Sequence, residues 1–273
     1  MGKKLLRQMV PALQKMKWPR IQATSEQGRQ TYDMGLDKVD MFRDDAKVLA
    51  SALRTFQAGD SEPYAFAGVA YTLLAAAKEE NGRYHPEGLQ LSLSWLEKAQ
   101  ASEPDVVSIN FIESLIYIYE DRLEDARLIL DYLGQQDPAN YHLLVSEMLY
   151  WIRRGEITQV EAAFQAASEA SVTVPQRLRL RSKLAQFYLQ EGMLDKAQAS
   201  FKEAIHFDQK NYAMWHDLSR VYFQQENMEE AAKANKQALK IKPDFAEAMA
   251  MENQIKKAMG SGVLGRLFGR RSG

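Results

Sequence analysis

The chain has 273 residues, 46% hydrophobic and 26% charged, a globular composition long enough for one extended domain or two compact ones. It holds no cysteine, which excludes disulfides, thiolate nucleophiles and cysteine-ligated zinc. Net charge is −1, but residues 1–25 carry six cations and no acid and residues 253–273 carry five and no acid, so the body between them carries −12.

The first predicted element is KKLLRQMVPALQKMKW, residues 3–18. Leu5, Leu6, Met9, Leu13 and Met16 share one helical stripe with cations elsewhere, and Pro11 predicts a kink. Residues 1–26 therefore form a basic amphipathic segment. Residues 27–60 have helical apolar spacing in LDKVDMFRDDAKVLASALRTF. From residue 61 onward a period emerges. Tyr117, Trp151, Tyr188 and Tyr222 follow one another at intervals of 34, 37 and 34 residues, and Ala197 and Ala231 are again 34 apart. After these aromatics comes a small residue and then a bulky one, as in Ala126 with Leu130, Val160 with Phe164 and Ala197 with Phe201. Gly82, Gly155 and Gly192 fall near the predicted turns, and Pro104, Pro138 and Pro243 at helix ends. A stretch of about a dozen residues around KEENGRYHPEG, 78–88, interrupts the earliest clear period. DFAEAMAMENQIKKAM, ending near residue 259, predicts a capping helix. GSG at 260–262 predicts a flexible hinge before VLGRLFGRR.

A period of 34 with helical spacing inside it marks a helical array. Trp215, Leu218, Tyr222, Ala231 and Pro243 resemble the tetratricopeptide repeat family, whose pattern is W-x2-L-G-x2-Y, then A-x3-F, then P. Ser219 stands in place of the family's Gly and Asn235 in place of its Phe. Leu184, Ala185, Tyr188, Ala197, Phe201 and Ala204 repeat the pattern, and Tyr64, Ala67, Gly68 and Tyr71 open an earlier copy. The resemblance covers residues 61–245. It implies an all-α, right-handed superhelical solenoid of antiparallel helix pairs, with residues 27–60 as a degenerate repeat, 246–259 as the capping helix and 260–273 as a flexible basic tail.

The chemistry of the side chains points away from catalysis. None of the four histidines has metal-ligand spacing, and no nucleotide-binding or nucleophile motif occurs. No catalytic residue, metal site or cofactor is expected. The resemblance implies that the first helix of each pair lines an inner groove that binds a protein or peptide. It places Phe66, Val69 and Leu73 there, then Phe111, Leu115 and Ile118, then Val145, Leu149 and Ile152. Toward the other end it places Arg179, Lys183, His216 and Arg220. Such a groove suits a partner with apolar anchors at one end and an acidic group at the other. In the competing arrangement residues 1–60 fold back over the apolar half and make it core. A further alternative uses the basic ends on an anionic membrane surface, through Leu5, Leu6, Met9, Leu264, Arg266, Leu267, Phe268 and Arg270. Nucleic acid is not expected as a partner, because the acidic body repels phosphate. The expected setting is the cytoplasm, with the inner face of a membrane as the alternative.

Overall fold

The structure, a computed structural model, describes residues 2–42, 45–79 and 82–268, with backbone alone from 261. Among these residues it has fourteen helices and no strand, only isolated bridges at Ile21–Ser61 and Lys78–Tyr84. Two compact units divide the chain, Met1–Arg177 and Leu178–Gly273.

The first unit begins with α1 (Gly2–Leu13) and continues in pairs. These are α2 (Glu26–Asp40) with α3 (Ala46–Gln57), α4 (Glu62–Ala77) with α5 (Pro86–Gln100), α6 (Val107–Tyr119) with α7 (Leu123–Gln136), and α8 (Tyr141–Arg154) with α9 (Ile157–Ala170). α10 (Val174–Gln190) starts in the first unit and continues into the second. The second unit holds α11 (Leu194–Phe207), the pair α12 (Tyr212–Gln224) and α13 (Met228–Ile241), and α14 (Ala246–Phe268). Within each unit the second helix of a pair packs on the first helix of the next, as α3 does on α4, α7 on α8 and α11 on α12.

Local chemistry fixes the helix ends. The side chains of Ser25, Asn140, Asn211 and Asn227 each accept a hydrogen bond from the first turn of α2, α8, α12 and α13. Gly155 and Gly192 turn the chain between paired helices with φ of 71° and 70°. Asp121 and Glu226 make the equivalent turns at φ of 64° and 60°, where a Cβ crowds the backbone. The small residues Ala126, Ala197 and Ala231 are fully buried.

Close approach also explains Gly68 of the repeat pattern. A Cβ there would sit 2.4 Å from the Phe56 ring, and one on Gly35 would sit 2.1 Å from the same ring. Phe56 of α3 is thus clasped between α2 and α4, and it is 2% exposed. At the other end α14 runs on to Phe268. The expected hinge at 260–262 is therefore corrected. Each glycine in a helix costs only about 1 kcal/mol relative to alanine, which a helix docked along its first turns withstands.

Two measurements check this account. Phe56→Ala is expected to cost about 3–5 kcal/mol in urea unfolding, because both glycines then face a void. Glu226→Gly is expected to raise Tm, gaining about 1 kcal/mol by relieving the left-handed turn.

Candidate functional site

The apolar inner residues of the first unit turn out to be covered. Val69, Leu73, Phe111 and Ile118 are 0% exposed, and Leu115, Val145 and Leu149 no more than 5%. Ile152 and Phe66 are half-buried. The expectation of an open apolar groove on these residues is corrected, for three physical reasons. First, α1 packs on α4 and α5 with Leu5, Leu6, Met9 and Leu13 buried, so α4 is enclosed on nearly every side. Second, the strand-like stretch after α1 brings Trp18 against Phe66 and Trp95, with ring centroids 6.2 and 5.6 Å apart. Ser61 and Gln57 tie this stretch down by donating to the carbonyls of Ala23 and Lys17. Third, Thr173 and the first turn of α10 meet α2 and α8. Thr173 Oγ1 donates to Asp37 at 3.1 Å, Tyr141 donates to the Gln176 carbonyl, and Pro175 borders a cleft with Met41 and Val48. Inside, His142 stacks on Phe111 at 4.8 Å and meets Tyr71 edge-on.

The polar candidates lie in the second unit, on first helices. Arg179 and Lys183 of α10 are half-buried and each engages a partner within the fold. Asp217 of α12 accepts from Arg220 at 3.1 Å and from Gln186 at 3.4 Å. Arg220 is exposed while Asp217 is largely covered. Gln186 and Asp217 thus join the two first helices, with Lys183 and Arg179 one and two turns earlier on α10 and Arg220 one turn later on α12. His216 does not belong with them as an exposed contact, which corrects that expectation. It is 9% exposed, edge-on to Phe245 at 5.2 Å and beside Asn235. Asn235, where the family pattern has Phe, donates to the Ala248 carbonyl at 2.7 Å. The departure from the pattern therefore serves to seat α14.

The lipid-contact candidates fare differently. Leu5, Leu6 and Met9 are core residues and so cannot meet lipid in this fold, a correction that follows from α1 docking on α4. Leu264, Arg266, Leu267 and Phe268 lie in α14, where only the backbone is described. Arg270 lies outside the described residues. Among the described residues no helix is long and apolar enough to cross a membrane. No group of three or more metal-ligating side chains occurs among them either.

Paired helices, left-handed turns and small-residue contacts define an all-α helical-repeat scaffold. Residues 188–255 match the tetratricopeptide repeat family model. The chain is similar to a thermophilic TPR protein of Thermus thermophilus, at 16% identity and a TM-score of 0.50, over 63% of this chain and 91% of that one. It is also similar to a tetratricopeptide repeat protein from Parabacteroides merdae, at 18% identity and a TM-score of 0.50, over 84% of this chain and 87% of that one. A chain of the APC/C hetero-tetramer Cut9–Hcn1 superposes at 11% identity and a TM-score of 0.60, over 93% of this chain and 46% of that one. These identities establish likeness of fold. No curated protein matches in sequence. Residues 188–255 are tetratricopeptide repeat by that match, and the chain beyond them shares the helical-repeat fold of these structures. Such repeats generally act as protein-interaction scaffolds without catalytic chemistry.

Two buried titrations have opposite signs. Desolvation by burial lowers the His216 pKa, against the opposing pull of Asp217. The unfolded chain then binds a proton that the folded one refuses, so this contribution is complete above the unfolded value of about 6.5 and is lost as pH falls. Burial raises Asp37 to about 6, opposed by the Thr173 hydrogen bond and reinforced by Asp40 and Asp33. Its folded form holds a proton that the unfolded carboxylate gives up, so ionised Asp37 weakens the fold above that pH. Asp37→Asn is expected to raise Tm at pH 8, and the gain should vanish below about pH 4, where both states are protonated. Phe111→Asp, which places a charge in the enclosed wall, is expected to lower Tm and erode the helical circular-dichroism signal.

Proposed function

We propose that the chain is a non-catalytic interaction scaffold that holds an acidic segment of a partner protein along the first-helix row of its second unit. The observation that supports this reading is the row itself. Arg179 and Lys183 of α10 and Arg220 of α12 stand on consecutive first helices, which Gln186 and Asp217 join by a hydrogen bond. A carboxylate-bearing chain laid along it gains charge-assisted hydrogen bonds from side chains already held in place. Asp217 gives the row polarity and disfavours a uniformly acidic ligand in one register. The apolar residues 66–152 serve folding in this reading, so partner choice rests on charge and hydrogen bonding. Binding should accordingly weaken with salt.

Purification of partners on the immobilised chain, followed by mass spectrometry, tests the reading. Arg179→Glu with Arg220→Glu is expected to lose the partners that the parent chain retains, with affinity at least about tenfold weaker per cation, and to keep the helical circular-dichroism signal of the parent chain. Retention of the same partners by that variant would overturn the assignment.

A further inference from the structure

Two surfaces outside the proposed partner row complement each other. The first is the solvent face of α7. Leu128 is 69% exposed and Tyr132 49%, one helical turn apart. Glu124 and Asp131 are exposed on the same face, and Asp125 flanks it. The setting is acidic, because residues 101–137 carry nine acids and two arginines. Asp131 and Asp125 each hold one of those arginines, Arg127 and Arg122, at 2.7 Å, which leaves Glu124 beside the apolar pair. Tyr132 is held in place through its hydroxyl, which donates to Asp105 at 2.9 Å. A large aliphatic and a large aromatic side chain at that exposure, ringed by carboxylates, make a helix face built to be covered.

The second surface is a cleft of about 630 Å³ between α11 and α13, floored by α12. Ile205, Trp215, Leu218 and Tyr222 give it an apolar and aromatic lining, and Lys202 and Lys233 stand on opposite walls. Trp215 is fixed by donating its ring N–H to the Gln209 carbonyl at 3.0 Å. Lys202 lies 5.7 Å from the Tyr222 ring centroid, and Lys233 pairs with Glu230 at 2.6 Å. The α13 wall is cationic beyond that pair, since residues 234–242 carry three lysines and no acid. A similar but smaller cleft of about 340 Å³ lies between α7 and α8. Its floor has Glu147, bound to Arg127, where the larger one has Leu218, so an apolar helix face fits only the larger.

We infer that the α7 face of one copy docks into the α11–α13 cleft of a second copy, so that the chain associates head to tail. Leu128 and Tyr132 would enter beside Trp215 and Tyr222, with Glu124 and Asp131 against Lys202 and Lys233. This is helix-in-groove recognition, with anchors one turn apart and carboxylates meeting lysines at the edges. The two surfaces differ, so the contact is heterologous and each added copy leaves one free end of each kind.

Sedimentation velocity of the full chain over a range of concentrations, at low and high salt, tests this. At low salt the sedimentation coefficient is expected to rise with concentration, and at high salt to return to the monomer value. Two variants each break one side, Glu124→Lys with Leu128→Ser, and Lys202→Glu with Lys233→Glu. All four positions are at the surface, so both variants should keep the parent Tm. Each alone is expected to stay monomeric. An equimolar mixture retains one intact face of each kind and is expected to stop at the dimer. A parent chain that remains monomeric at low salt overturns the inference and leaves the cleft to an acidic segment of another protein. So does association that survives in either variant alone, or a mixture that yields no dimer.

Discussion

A pair of antiparallel helices has two broad sides, and water can be kept from both only if something else is laid against each. That constraint orders the whole molecule. Inside an array the neighbouring pair supplies the cover, through contacts so close that only glycine or alanine fits, as where Phe56 lies between Gly35 and Gly68. Where a neighbouring pair leaves a side open, the chain supplies substitutes. α1 is one of them, laid along α4 and α5 with its aliphatic stripe inward. α14 is the other, seated by Ala248, Met251 and Ile255 and by the hydrogen bond from Asn235.

The same constraint explains why the inner wall of the first unit is a core. Side chains such as Phe111, Leu115 and Val145 are too apolar to face water in a row, and the first unit closes over them. The closure is joined by polar contacts, Thr173 to Asp37 and Tyr141 to the Gln176 carbonyl. A carboxylate used in that way is partly desolvated, and its raised pKa records the cost. Burial of Asp37 thus costs some stability at neutral pH, and the Thr173 hydrogen bond offsets part of that cost while fixing the start of α10.

The helical period was legible because it has a local cause. Tyr188 and Tyr222, or Ala197 and Ala231, recur at one interval because each tile repeats the same contacts, and Gly155 and Gly192 recur because each turn needs the same left-handed φ. The fate of the apolar inner residues was not legible. Helical phase puts Phe111 and Leu115 on the inner side of α6 but says nothing about what lies opposite. For α6 the answer lay in α4 and α8, which bring Tyr71 and His142 against Phe111, and for α4 in α1 and Trp18, which are distant in sequence and carry no repeat signature. The amphipathic stripe Leu5, Leu6 and Met9 was equally ambiguous, since a stripe that suits a lipid surface suits α4 just as well. Asn235 gave a usable signal, because a polar residue where the pattern wants Phe requires a polar partner nearby, here the Ala248 carbonyl.

With the apolar inner wall of the first unit closed, the proposed reading draws specificity from charge. A groove lined with leucine and phenylalanine would admit many amphipathic helices, whereas Arg179, Lys183 and Arg220 around Asp217 admit few arrangements of charge. Salt screens exposed charges far more than it weakens hydrophobic packing, so the fold and its interactions respond to different conditions. Ionic strength can dissolve contacts made through the cationic row while Phe56 and the helix stack remain in place.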